Sequence, residues 1–142
     1  MKEIKTIKFD YNEGGFKLWK TGDRDHISIS ISNGTAKYEV YRYDEMIRGP
    51  KLTSCWSKIF DESLFIKLKA QIIDVLCVDD MDICDGDSLD VTLLFENGTD
   101  IENTIHTNLY EMNLGELADL LHEILDGVEL PCIFNKLEDE EE

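Results

Sequence analysis

From Ile4 to Tyr43 apolar residues recur at alternate positions: Ile7, Phe9 and Tyr11, then Phe16 and Leu18, then Ile27, Ile29 and Ile31, then Ala36, Tyr38 and Val40. A period of two is the mark of strands with one buried and one wet face. The punctuation agrees. Asn12-Glu-Gly-Gly15 and Thr21-Gly-Asp23 separate the first runs, and Asn33-Gly34 is expected to supply both positive-φ residues of a type I′ hairpin. The small polar row Ser28, Ser30 and Ser32 lies opposite the isoleucines, so that face is expected to be solvated and not packed on a second sheet. Gly49-Pro50 breaks the chain, and Leu52 to Ile59 reads as one more short strand with Trp56 on it.

The period then changes. Asp61 is a candidate N-cap, Glu62 suits the positive end of a helix, and Leu64, Phe65, Leu68, Ile72, Val75 and Leu76 form its apolar stripe. Leu89, Val91, Leu93 and Phe95 return to alternation, Asn97-Gly98 turns the chain, and Ile101 and Ile105 carry the return strand. Asn113-Leu-Gly-Glu116 resembles a capping box. Leu114, Leu117, Ala118, Leu121, Ile124 and Leu125 then complete a second helix ended by Gly127. Cys132-Ile-Phe134 is apolar enough to cover the core, and Glu138 to Glu142 is five consecutive acids. These elements predict an α+β domain over residues 1–137, an antiparallel sheet of five to seven strands with two α-helices packed on one face, followed by an acidic disordered tail over 138–142.

The layout from Asp61 to Asp126 is a helix, the hairpin strand Leu89 to Thr99, then Asn108-Leu-Tyr-Glu111, then Leu117 to Leu125. It resembles a set of small uncharacterised bacterial proteins in which a strand meander precedes helix, hairpin and closing helix. Size, charge and layout are also similar in character to immunity proteins and phage-encoded inhibitors. The resemblance implies an α+β fold and transfers no functional residue.

Charge adds the strongest functional hint. The 142 residues carry a net charge of −17, and it is unevenly placed. Up to Phe60 there are eleven basic and eight acidic residues; from Asp61 onward there are three basic and twenty-three acidic. Between Lys69 and Lys136 sixty-six residues pass without a Lys or Arg, while the same stretch holds sixteen Asp and Glu. Solubility alone accounts for an acidic surface, but a merely solvated face mixes signs to limit self-repulsion. At 42% hydrophobic the chain has the material for one core, which excludes a disordered polyanion. The N-terminus lacks an apolar leader core, and no apolar run reaches the roughly 20 residues of a spanning helix, so a cytoplasmic protein without membrane contact is expected.

Specific chemistry is sparse. Cys55, Cys77, Cys84 and Cys132 show no Cys-x-x-Cys pair, and reduced thiols are expected. Asn33-Gly34-Thr35 and Asn97-Gly98-Thr99 match the glycosylation pattern but read better as turns. The run from Asp79 to Asp90 has oxygen ligands for a hard cation, yet placing Gly86 as the turn glycine of a calcium loop puts Met81 and Ile83 at ligand positions. His26, His106 and His122 have no paired spacing. No nucleophile elbow or phosphate-binding glycine loop is present, and neither a catalytic residue, a metal nor a cofactor is expected. Lys37 to Tyr43 interleaves bases with aromatics, but the overall field opposes direct nucleic-acid binding.

The expected function is therefore that of a non-enzymatic inhibitor of immunity or anti-defence type, which occludes a basic nuclease or nucleic-acid-guided defence enzyme by charge mimicry. The expected contacts are Asp79, Asp80, Asp82, Asp85 and Asp87, with Glu116, Asp119 and Glu123 on the outer side of the closing helix. The alternative is a protein that sequesters a small ligand or nucleotide in a pocket between sheet and helices or between subunits. A small hydrolase ranks third. The opposite charges of the two halves also allow copies to pair head to tail as a homo-oligomer.

Overall fold

The computed structural model describes residues 3–12, 25–44, 46–76, 88–105 and 108–135. Among the described residues six strands run β1 (Ile4–Asn12), β2 (Asp25–Ser32), β3 (Thr35–Asp44), β4 (Gly49–Ile59), β5 (Ser88–Phe95) and β6 (Asp100–Ile105). Helix α1 (Glu62–Leu76) connects β4 toward β5, and α2 (Gly115–Ile124) follows β6 after a 3-10 turn at Leu109–Met112. The sheet order is β4-β3-β2-β1-β5-β6 and every pairing is antiparallel. The α+β arrangement expected from the pattern is the one observed. The segment holding Phe16 and Leu18 and the acidic residues Glu138 to Glu142 lie outside the described residues.

The first strand to form in sequence lies inside the sheet. β1 pairs with β2 on one side and β5 on the other, so Phe9 has Ile29 and Val91 as its neighbours in register. One row of the sheet, made by Ile7, Phe9, Ile29, Ile31, Val91 and Leu93, is almost fully buried. Ile4 breaks the alternation of β1 yet is also buried, because the register shifts between Ile4 and Thr6. A bulge of this kind returns an out-of-phase side chain to the core face. Phe65, Leu68, Ile72 and Val75 of α1 and Leu117, Ala118, Leu121 and Ile124 of α2 close the same core. The short 3-10 segment Cys132–Phe134 completes it, and the Phe134 ring meets Phe9 edge-on at 5.9 Å. The opposite face keeps Lys8, Asp10, Ser28, Ser30 and Thr92 at partial exposure, as the serine row suggested.

Local signals hold with three corrections, the first being that Gly49-Pro50 does not break the chain but starts β4, where Gly49 and Pro50 pair with Asp44 and Tyr43 of β3. Asp61 does begin α1, since its carboxylate accepts the Ser63 backbone N–H at 3.0 Å. Asn33-Gly34 does join β2 to β3, but only Gly34 takes a positive φ, of 87°. The turn is thus not type I′; the Gly34 carbonyl is instead engaged by the Phe60 N–H at 2.9 Å, which ties the turn to the end of β4. Asn113 is not the N-cap of the second helix. It adopts φ 64° and closes the preceding 3-10 turn by donating its N–H to Leu109 and Tyr110 carbonyls, which leaves Leu114 as an N-cap without a side-chain bond. Beyond the helix, Gly127 takes φ 116° and packs under Trp56 of β4.

Phe134 is fully buried although it follows the last helix by ten residues. Phe134→Ala should lower the unfolding free energy by about 3–5 kcal/mol, the range for truncating a buried phenylalanine, read as a lower urea midpoint with unchanged slope.

Candidate functional site

Helices α1 and α2 leave a groove of about 340 Å³ between their outward sides. From α1 come Lys67, Ala70 and Gln71; from α2 come Glu116, Asp119, Leu120 and Glu123. Both sets follow helical spacing, so each helix presents one continuous row to the groove. The residues from Glu116 to Glu123 span about 10 Å at 1.5 Å rise per residue. Three exposed carboxylates thus stand in line over a floor of Ala70 and Leu120, with Lys67 as the one base in the lining.

Two of the carboxylates are fixed from neighbouring elements. Gln71 Nε2 donates to Glu116 Oε1 at 3.2 Å and bridges the two helices at one end of the groove. Tyr110 donates its hydroxyl to Asp119 Oδ1 at 2.6 Å. The glycine that starts α2 makes the second contact feasible: a Cβ at Gly115 would come within 2.9 Å of Tyr110 Cδ1, so only a bare backbone lets the ring lie across the first turn. Burial, and after it the hydrogen bond and charge of Asp119, push the Tyr110 hydroxyl up to about 12. The structure therefore gathers Glu116, Asp119 and Glu123 on one rim, whereas Asp79, Asp80, Asp82, Asp85 and Asp87 lie outside the described residues. Sequence reasoning missed Lys67, Ala70, Gln71 and Leu120, which only the packing of α1 against α2 brings to the groove.

A second polar cluster sits on the open face of the sheet. His26 Nδ1–H donates to Asn12 Oδ1 at 2.8 Å, and His26 Nε2 lies 3.5 Å from Asp10 Oδ1. Burial alone pushes the Asp10 carboxyl up, but hydrogen bonds from His26 and Ser28, with the charges of His26 and Lys8, outweigh it and hold the group below its ordinary value of 3.8. Ser88 is 3% exposed, faces Asn12 in register and has no hydrogen-bond partner for its hydroxyl. Asn12 stands between Ser88 and His26 in that row, so the hydroxyl has no imidazole base and the cluster lacks the geometry of a nucleophilic site.

Other features bear on the weaker readings. A cavity of about 400 Å³ at the start of β1 is lined by Lys5 and Lys69 together with Glu3, Glu62 and Glu96. Lys69 is engaged by Glu3 at 3.4 Å, so the excess of carboxylates offers polyphosphate no cradle. No group of three or more His, Cys, Asp or Glu among the described residues is arranged to hold a metal ion. His122, expected on the polar side of the last helix, is exposed with its Nε2 2.8 Å from the Phe134 carbonyl. His106 lies outside the described residues. Among the described residues no helix is long and apolar enough to cross a membrane.

Both pKa shifts give tests. Because the folded pKa of Asp10 is depressed, its stabilisation is present above 3.8 and disappears as pH falls through the lower folded value. Asp10→Asn should therefore be less stable than the parent at neutral pH, with the gap in urea midpoint closing under acid. Tyr110 has the opposite sign: its contribution is full below the ordinary value of 10.0 and is lost as pH rises through about 12. In a tyrosinate absorbance titration, the transition missing from Tyr110→Phe should lie near 12 in the parent and move toward 10 in Asp119→Asn. Comparison of the chain with protein-family models, curated proteins and solved structures gives no match.

Proposed function

We propose that this chain is a non-enzymatic inhibitor of immunity or anti-defence type, which docks its acidic helix layer onto a basic, nucleic-acid-handling protein. The observation that carries the reading is the line of Glu116, Asp119 and Glu123 beside a groove with one lysine. Carboxylates at helical spacing offer a partner the kind of charge it meets on a phosphate backbone, and the field they set up speeds encounter before close contact forms. The apolar floor of Ala70 and Leu120 then supplies the water-excluding centre that a docked interface needs. Two carboxylates already held by Gln71 and Tyr110 lose less side-chain freedom on binding. Asp79, Asp80, Asp82, Asp85 and Asp87 add acidic density to the same sequence region and belong to the proposed contact set.

Tagged chain should capture a basic nuclease or defence enzyme from a lysate of the organism that encodes it, suppress that enzyme's activity, and release it as salt rises. The Glu116→Gln/Asp119→Asn/Glu123→Gln variant should bind roughly tenfold more weakly, given about 0.2–1 kcal/mol for each exposed ion pair. Capture and inhibition that ignore both the neutralised rim and the salt would sink the charge-mimicry reading.

A further inference from the structure

The shape of the groove narrows what can lie in it. We propose that the α1–α2 groove accepts an amphipathic α-helix of the partner, with Lys or Arg at helical spacing along one side and aliphatic residues along the other. This deepens the docking function proposed above and rests on it.

Three observations lead there. The first is spacing. The rim carboxylates are three and four residues apart on α2, which corresponds to rises of about 4.5 and 6 Å. Bases at i, i+3 or i+4, and i+7 on a second helix repeat at those same rises, whereas same-face residues of an extended strand fall about 6.6–6.8 Å apart and drift out of step.

The second is the floor. Ala70 lies midway along the α1 side of the groove and is exposed, so its single methyl lets another helix approach closely where a longer side chain would hold it off. Leu120 is 8% exposed and offers an apolar seat from α2.

The third is an unpartnered apolar row on α1. Ile66 is 63% exposed and Ile73 45% exposed, seven residues apart, with Ala70 between them. An exposed i, i+4, i+7 row has the periodicity of a helix-packing face. It borders the groove through Ala70, so a helix laid there meets aliphatic contacts on the α1 side and carboxylates on the α2 side. That division of surface matches a basic amphipathic helix in both charge and apolarity, and docking one would complete a three-helix layer by helix-in-groove recognition.

The probes are two fluorescent peptides of identical Lys/Leu composition. One is ordered so that lysines and leucines fall on opposite sides of a helix; the other is scrambled to remove that segregation. Anisotropy titrations use the full chain, the triple rim variant and Ala70→Trp, which blocks the groove while leaving every charge in place. The segregated peptide should bind at least tenfold more tightly than the scramble, become helical on binding by circular dichroism, and lose that advantage with either variant. Equal binding of both peptides, abolished by the rim variant alone, would overturn the helix inference and leave the acidic docking reading intact. Binding indifferent to the rim variant would overturn both.

Discussion

Phe9 lies fully buried on β1, with Ile29 beside it from β2, Val91 beside it from β5, and the edge of Phe134 against its ring. Three distant parts of the chain thus meet at one side chain. The strand that carries it is hydrogen-bonded on both sides, so its polar backbone is satisfied by the meander on one flank and the β5–β6 hairpin on the other. Both helices then have a single apolar face to cover, and their placement side by side on that face creates the groove between them. Loosening β1 would remove the common floor under α1 and α2, and the alignment of Gln71 with Glu116 would go with it.

Charge is uneven within the helix layer: the strands nearly balance, with six Lys or Arg against seven Asp or Glu, and α1 carries two of each. Lys8 and Lys37 stand on the open side of the sheet, and Lys51 and Lys58 on the edge strand β4. Helix α2 has three acidic positions outward, Glu116, Asp119 and Glu123, and no lysine or arginine. A positive surface approaching the molecule is attracted toward α2 before touching it. At physiological salt that steering reaches about 8 Å, so it governs approach and leaves final discrimination to shape and apolar contact.

How much of this could be read from the chain follows from the range of the interactions. Alternation in β1, β2, β3 and β5 and the stripes of α1 and α2 are set by each segment burying one face, and they are legible residue by residue. Asp61 was legible for the same reason, since its bond is to Ser63 two residues on. Asn113 was misread because two short motifs compete for it: the 3-10 turn before it claims its backbone, and the helix after it starts on Gly115 to make room for Tyr110. The rim acids were visible on the outer side of the last helix. Their seating opposite Ala70 and Gln71 was not, because no local pattern encodes which turn of α1 faces which turn of α2. The His26–Asn12–Asp10 cluster was hidden likewise, being assembled across a strand pairing and not along a segment.

The pairing of β1 with β5 has a temporal meaning. Phe9 faces Val91, about eighty residues later in the chain. During synthesis, at roughly 5–20 residues per second, β1 therefore spends on the order of ten seconds with one edge unpaired and with Ile7, Phe9 and Tyr11 not yet roofed by helices. Non-local pairing of this kind slows folding and leaves a strand open to the wrong neighbour. Lys5 and Lys8 interrupt the apolar run of that same strand, and charge at these positions discourages one nascent chain from adding its β1 to another's. A strand paired on both edges in the finished sheet is thus one that has to be guarded for long while the protein is being made.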